Sequence, residues 1–296
     1  MRHILYILAL VALVSCGGAN KPKGAEQSAN TAVELSPEQE LQQVLDHYWD
    51  GFDFDNAEAL KELNREEIVY AISQFVSIMP VEEADSRMRE LIRRASTSHD
   101  MLDYFYTVCE IVLHNPNSPL RNDEYYIPVL EELVASPLLD EYERIAPAYD
   151  LEIALKNRIG RVATNFIYTL EDGTEGKLHD IRANYTILMF SNPECPLCGE
   201  IMRQITSSQL LSALIQHGVV KVLTLYPDED ISIWRKHIDN TPSEWIRAYD
   251  KGQILSKERL YNLNAIPALY LLDRDKRVII KDGTSVTEIE NVLMHN

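Results

Sequence analysis

The chain has 296 residues, of which 46% are apolar and 25% charged, a length and balance typical of about two globular domains. Its 28 basic and 46 acidic residues give a net charge of −18, which argues against a nucleic-acid partner, since phosphate binding needs clustered Lys and Arg. The same charge argues against attachment to anionic lipid through a polybasic segment.

Residues 1–15 are predicted to form a signal peptide. Arg2 and His3 precede an apolar run from Ile4 to Val14, which is too short to span a bilayer as a helix but suits the central region of a signal peptide. The following Cys16 closes a Leu-Val-Ser-Cys sequence that resembles the lipobox of bacterial lipoproteins. This resemblance implies that Cys16 is acylated and anchors the mature protein in a membrane. An ordinary signal peptide, in which Cys16 is incidental, is the alternative.

Residues 16–35 are predicted to form a flexible tether, because they are mostly small and polar and have no apolar period. No acidic cluster follows Cys16, so surface export is not indicated. We expect a protein that faces the periplasm.

The segment 36–157 predicts an all-α domain of about five or six helices. Ser36-Pro37-Glu38-Gln39 is a capping box that opens the first helix. The acidic residues of the segment 36–157 are spread over helix faces and do not converge on a metal or catalytic site, so an interaction or spacer role is expected for this domain. Cys109 lies on an apolar helix face and is predicted to be a buried, poorly reactive thiol. The further helices are predicted to open at Asn64 and to span about 82–95, 101–113 and 125–135.

The segment 158–296 predicts an α/β domain with a mixed central sheet, in the order hairpin, strand, helix, strand, helix, strand, strand, helix. Two short apolar runs are typical of strands that are buried on both faces. In chain order, the predicted elements are a hairpin over 166–178, strands at 185–190 and 219–225, a helix between them ending near Gly218, a helical stretch through Trp234 and Trp245, a hairpin over 268–281 and a helix from about 286 to 295.

Cys195 and Cys198 lie where the first buried strand gives way to a helix. The two intervening residues let both sulfurs meet across the first helical turn within disulfide distance. Cys195 faces free backbone N–H groups and the positive end of the helix dipole, which favour the thiolate, so it is the predicted nucleophile. Cys198 is predicted to be more buried and to resolve the mixed disulfide. Pro196 suits the first helical position, where no N–H is needed.

Glu194 opposes a negative charge on Cys195 by like-charge repulsion. We therefore expect a weakly oxidising pair, in the more negative half of the range from about −120 to −270 mV.

The block from Phe166 to the C-terminus resembles the thioredoxin superfamily, nearest its TlpA-like or ResA-like branch of membrane-anchored periplasmic proteins. The resemblance is carried by the strand–Cys-Pro-Leu-Cys–helix unit and by Asn-Ala-Ile-Pro-Ala at 264–268 before a predicted strand. It implies that Pro267 follows a cis peptide bond and packs on the cysteines. It also implies that Ile266 offers its backbone to the substrate, with Pro196 beside it. The helical domain ending at 156–160 is similar to an N-terminal domain of undefined role found in such lipoproteins.

The chain departs from the superfamily pattern at two positions. Glu194 stands where a Trp is usual, and Met189 stands where cytoplasmic thioredoxins have a buried carboxylate. The proton acceptor for Cys198 is therefore open among the acidic residues 228–230. Glu229 is the nearest match to the Glu that the resemblance implies.

These observations predict a periplasmic, membrane-anchored thiol–disulfide oxidoreductase that acts as a reductase and needs no cofactor. The resemblance implies a disulfide-containing protein or peptide as substrate and a membrane electron donor. A zinc site is disfavoured, because structural zinc is four-coordinate and one cysteine pair supplies only half of the ligands. Copper delivery would need wider cysteine spacing, and peroxidase chemistry would need Thr at Asn192. The alternative is a binding protein on a thioredoxin scaffold, with a structural or vestigial disulfide.

Overall fold

The computed structural model describes residues 35–283 and 285–295. The predictions for the signal peptide, for Cys16 and for all but the last residue of the tether lie outside the described residues. Within the described ranges, no helix combines the length and the apolar character needed to cross a bilayer. The contacts divide the chain into two compact units, with the division between Glu141 and Tyr142.

The first unit is all-α. Four of its helices begin at a polar N-cap whose side chain accepts a backbone N–H of the first turn, as expected for Ser and Asn caps. The predicted helices are confirmed, with starts that differ from prediction by at most two residues. The helices are α1 (Pro37–His47), α2 (Arg65–Ile78), α3 (Ala84–Ala95), α4 (His99–Leu113) and α5 (Asp123–Ala135).

The core of this unit is aromatic. Edge and tilted ring contacts at 4.7–6.4 Å between centroids connect residues of α2, α4 and the segment after α1. Cys109 of α4 lies fully buried in this unit. The aromatic rings of this core belong to Tyr48, Trp49, Phe52, Phe54, Phe75 and Phe105.

The second unit is α/β and contains a seven-stranded mixed sheet in the order β2-β1-β5-β4-β3-β6-β7. β3 pairs in parallel with β4 and antiparallel with β6, so the apolar β3 lies inside the sheet. Its strands are β1 (Ile167–Leu170), β2 (Glu175–Lys177), β3 (Tyr185–Phe190), β4 (Val220–Tyr226), β5 (Ile246–Tyr249), β6 (Ala268–Leu272) and β7 (Val278–Gly283). Its helices are α6 (Ile145–Ala154), α7 (Pro196–Ser207), α8 (Gln209–Gln216), α9 (Ile231–His237), α10 (Ile254–Lys257) and α11 (Val286–His295).

Successive residues of β3 point to opposite faces of the sheet and enter two separate cores. Leu188 and Phe190 join one buried cluster, whereas Ile187 and Met189 join the other together with Cys198. The prediction of a strand buried on both faces is therefore confirmed.

Two predicted elements of this unit differ from the structure. The helical stretch predicted through Trp245 is wrong in its second half, because α9 ends at His237 and a 3-10 turn ends at Asn240. The strand β5, which was not predicted, follows and pairs with β4 and β1. The single helix predicted to end near Gly218 is broken at Ser208. The side chain of Ser208 caps α8 by accepting the N–H of Leu211.

The segment between the two boundaries, 142–157, contains α6. The sequence predicts a boundary at 157/158, whereas the contacts place α6 in the second unit. The physical reason lies at the C-terminal end of α6, where Lys281 Nζ of β7 donates to the carbonyls of Ala154 at 2.9 Å and Lys156 at 2.7 Å. A lysine there satisfies the free carbonyls and the negative end of the helix dipole.

Candidate redox site

The redox motif begins one loop after β3 ends at Phe190. Cys195 is the N-cap of α7 and has extended backbone, and its Sγ accepts a hydrogen bond from the N–H of Cys198 at 3.4 Å. Pro196 occupies the first helical position, where the missing N–H has no helical acceptor to lose. The sequence therefore specifies locally that one cysteine caps the helix and the other lies one turn inside it.

The two sulfurs differ in accessibility, and both cysteines are free thiols. Cys198 has no exposed surface, whereas Cys195 is half-buried. Burial, followed by the hydrogen bond with Cys195, raises the pKa of the Cys198 thiol to about 12, and a backbone hydrogen bond from Asn192 opposes this rise. Cys198 is therefore a protonated, protected thiol at neutral pH, and Cys195 is the one that a substrate can reach.

A second segment of the chain lies against Cys195. The Ile266–Pro267 peptide bond is cis, and the Cys195 thiol donates to the Ile266 carbonyl with Sγ and O 3.7 Å apart. The pairing of β6 with β3 explains this contact, because Ala268 is opposite Phe190 and each strand connects directly to one of the two loops. The backbone of Ile266 is thus adjacent to the accessible sulfur.

Asn192 connects the loop before the motif to the end of β4. Its Oδ1 accepts the N–H of Glu194 at 2.8 Å, and its Nδ2 donates to Asp228 Oδ2 at 2.7 Å. Its backbone carbonyl accepts the N–H of Cys195 at 3.0 Å. Sequence reasoning considered Asn192 only as a departure from a peroxidase and missed this role, although Asn often bonds a backbone N–H two residues on.

Glu229 is exposed and forms no hydrogen bond with either sulfur among the described residues. Asp228, by contrast, is linked to the cysteine loop through Asn192. Burial, followed by the charges of Asp228, Asp230 and Glu194, raises the pKa of Tyr226 to about 12. Asp228 and Glu194 both bond to Asn192, in the loop directly before Cys195. No group of three or more potential metal ligands occurs in the part of the chain that the structure describes.

Comparison with known proteins covers both units. Residues 31–157 match the family model of a domain of unknown function, DUF5106. The chain shares 37% sequence identity with a thioredoxin-like protein from Bacteroides caccae. The crystal structure of that protein matches this chain with a TM-score of 0.84, covering 93% of this chain and 100% of that one. The chain belongs to this thioredoxin-like family. This chain joins an N-terminal helical region to a thioredoxin-like domain, and the resemblance predicted from the sequence is confirmed.

Two further solved structures each match about half of this chain. The C-terminal domain of an uncharacterized protein from Bacteroides fragilis is 39% identical, covering 47% of this chain and 98% of that one at a TM-score of 0.46. A conserved protein of unknown function from the same species is 30% identical, covering 46% and 98% at a TM-score of 0.45. No curated protein matches the sequence significantly.

Proposed function

We propose that the protein is a periplasmic, lipid-anchored thiol–disulfide oxidoreductase that reduces disulfides in protein or peptide substrates. One observation carries the proposal: the accessible Cys195 sulfur lies between the N–H of Cys198 and the carbonyl that precedes the cis-proline, Pro267. This arrangement offers a nucleophile, a resolving thiol and a backbone acceptor for an extended substrate in one place.

The reaction has two thiol–disulfide exchange steps. The Cys195 thiolate attacks one sulfur of the substrate disulfide, so a Cys195–substrate disulfide forms and the other substrate sulfur leaves with the electron pair and takes up a proton. Cys198 then loses its proton and attacks Cys195 Sγ, which forms the Cys195–Cys198 disulfide and releases the second substrate thiol. Two electrons and two protons pass to the substrate in total. A membrane-associated dithiol donor would return the enzyme to its reduced form.

The burial of Cys198 supports this division of labour. A thiol with a pKa of about 12 does not compete for the incoming disulfide at neutral pH, yet it lies one helical turn from the sulfur that it must attack. Asn192 holds Asp228 next to the loop before Cys195. This position supports Asp228 as a candidate acceptor of the Cys198 proton. Glu229 stays a sequence-based candidate for the same role.

A turbidimetric insulin-reduction assay with dithiothreitol as donor tests the proposal. The wild type should accelerate precipitation well above the dithiothreitol background, and Cys195→Ser should not, whereas Cys109→Ala should behave as wild type. Cys198→Ser should accumulate a mixed disulfide with insulin, visible on a non-reducing gel. A wild type no faster than background would contradict the proposal and favour a binding protein on a thioredoxin scaffold.

The direction and the anchor are tested separately. Equilibration with glutathione should give a reduction potential nearer −270 than −120 mV, and a value of about −120 mV would reverse the assignment as a reductase. Incorporation of labelled palmitate should depend on Cys16, and Cys16→Ala should release the protein into the soluble periplasmic fraction. Palmitate labelling of Cys16→Ala would contradict the anchor.

A further inference from the structure

A groove of about 460 Å³ borders the loop that carries the redox motif. Gly199 and Met202 of α7 line one side, and Trp234 and Ile238, in and after α9, line the other. Ser191 of the cysteine loop and Thr224 of β4 also line it. Pro193 and Gly199, which lie on either side of Cys195 in the chain, both line the groove, so a polypeptide bound to that sulfur can extend into it.

One polar side chain of the groove lacks a partner. Ser191 is only 8% exposed, and no described residue forms a hydrogen bond with its hydroxyl. The neighbouring Thr224, 5% exposed, donates its hydroxyl to the Ile246 carbonyl at 3.4 Å. The hydroxyl is open to the groove, so a bound group can hydrogen-bond to Ser191 in place of water. A peptide backbone has such groups at every residue.

The groove is negatively charged where it approaches the motif. Tyr226 lines the groove and donates its hydroxyl to the Asp230 carbonyl at 3.0 Å, while Asp228 and Glu194 both bond to Asn192 in the loop before Cys195. Burial, followed by the charges of Asp228, Asp230 and Glu194, raises the pKa of Tyr226, which agrees with this placement. None of the three forms an ion pair with a described Lys or Arg. Arg203 also lines the groove, but its guanidinium is paired with Glu200. Uncompensated negative charge beside the nucleophile attracts cationic substrate groups and repels anionic ones.

We propose that the groove binds the polypeptide segment next to the substrate disulfide, and that Glu194 with Asp228 and Asp230 selects substrates carrying Lys or Arg beside the reacting cysteine. This inference rests on the proposed function and names its substrate class: disulfide-containing polypeptides with basic residues around the cysteine. The carboxylates provide selection by charge, and the groove provides contact with the chain beyond the disulfide.

The charge selection is tested with two fluorogenic disulfide peptides that differ only in Lys or Glu beside the cysteine. We expect kcat/KM to be about tenfold higher for the Lys peptide at low ionic strength, with a ratio that falls as salt is added. Glu194→Gln should reduce the ratio severalfold. The matched control is Asp275→Asn, which removes the same charge from the turn after β6, at the end of that strand away from the motif. It should leave the ratio unchanged.

The groove itself is tested at Gly199. A Cβ at this position meets no atom within 4 Å, so a larger side chain projects into open space instead of into the fold. Gly199→Leu should lower kcat/KM for the Lys peptide about tenfold relative to kcat/KM for a small aromatic disulfide, and Gly199→Ala should change that ratio much less.

The outcomes separate this inference from the proposed function. Equal rates for the Lys and Glu peptides would overturn the inference, and so would an equal effect of Gly199→Leu on the peptide and the small disulfide. In both cases an active wild-type protein would still support the proposed oxidoreductase function. A wild type that reduces neither the peptides nor the small disulfide would overturn both.

Discussion

The helices α1, in the all-α unit, and α7, in the α/β unit, begin with the same local design. Ser36 and Cys195 are the N-caps, a proline follows each at the first helical position, and each cap accepts the backbone N–H three residues on. The two distances are 3.2 Å to Ser36 Oγ and 3.4 Å to Cys195 Sγ. In α1 the side chain of Gln39 accepts the backbone N–H of the cap, whereas the same position in α7 is Cys198. The same geometry therefore starts a helix in one unit and positions two sulfurs in the other.

The difference between these helix ends arises from distant segments. The α1 cap is exposed, and the hydrogen bonds of its capping box stay within four residues. Cys195 contacts the carbonyl of Ile266, 71 residues away, and Cys198 is buried among residues of several strands and helices. The proposed redox role therefore depends on distant segments, which bury Cys198 and bring the Ile266 carbonyl to Cys195.

The largest expected effect comes from making the two caps alike. Cys195→Ser keeps a good N-cap, because Ser is among the preferred residues at that position. We expect its free energy of unfolding, measured in urea, to stay within about 1 kcal/mol of the reduced wild type. Insulin reduction should fall at least about a thousandfold, because the hydroxyl cannot form the mixed disulfide. A variant that is both folded and active would show that capping and catalysis are not separable in this way.

Native thiol labelling compares the accessible cap with the two buried thiols. Burial raises the pKa of both Cys109 and Cys198 to about 12, and neither is exposed. At pH 7, iodoacetamide should therefore alkylate Cys195 at least about a hundredfold faster than either of them. Peptide mapping by mass spectrometry reads the rates, and labelling in denaturant, where the three rates converge, is the control. Rapid native labelling of Cys109 would contradict its place in the α4 core.

The same two buried thiols, Cys109 in the first unit and Cys198 in the second, should each make the free energy of unfolding depend on pH. Below pH 9, a Cys109 thiol is protonated in both the folded and the unfolded chain and adds no pH dependence. As the pH rises from 9 towards 12, the unfolded chain loses the proton and the folded chain keeps it, so stability falls by up to about 1.4 kcal/mol per pH unit per thiol.

Cys109→Ala should therefore show a shallower decline above pH 9 than the wild type when both are reduced. Oxidation of the wild type should remove the contribution of Cys198 in the same way. Parallel declines in all three samples would show that neither thiol is protonated selectively by the fold. The comparison uses slopes, because Cys109→Ala also leaves a small cavity that shifts the whole curve.

A smaller effect is expected at the loop between β3 and α7, which Asn192 links to the end of β4 by a hydrogen bond. Asn192→Ala removes both side-chain hydrogen bonds of that loop, so the backbone N–H of Asn192, which donates to the reduced Cys198 sulfur, is held less firmly and the reduced form loses stabilisation. We expect the reduction potential to become more negative by about 30 mV, which is a tenfold change in equilibrium with glutathione. Asp228→Asn keeps an acceptor for Asn192 and removes a negative charge, so its shift should be smaller and of opposite sign. Equal shifts in both variants would contradict the positioning role of Asn192.

Local signals explain which parts of this structure the sequence predicts. The capping box at Ser36 and the Cys-Pro-Leu-Cys turn are complete within four residues, and Pro267 directly precedes the apolar strand β6. The strand β5 has no such signal. Its central Arg247 bonds Glu171 across the sheet, and its backbone partners are β4 and β1, so only the folded neighbours make it a strand. The hydrogen bond of Asn192 to Asp228 likewise exists only after β3 and β4 have paired.

The smallest effect is expected at the cap that has no second role. Ser36→Ala removes the Oγ that accepts the Gln39 N–H, which should lower the free energy of unfolding by about 1 kcal/mol, and Ser36→Thr should recover most of it. Insulin reduction should not change in either variant, since the hydrogen bonds of Ser36 stay within its own capping box. Urea denaturation and the insulin assay on the same samples give both values. A loss of activity in Ser36→Ala would mean that the start of α1 influences the chemistry at α7, and the two caps would then no longer be independent solutions to the same local problem.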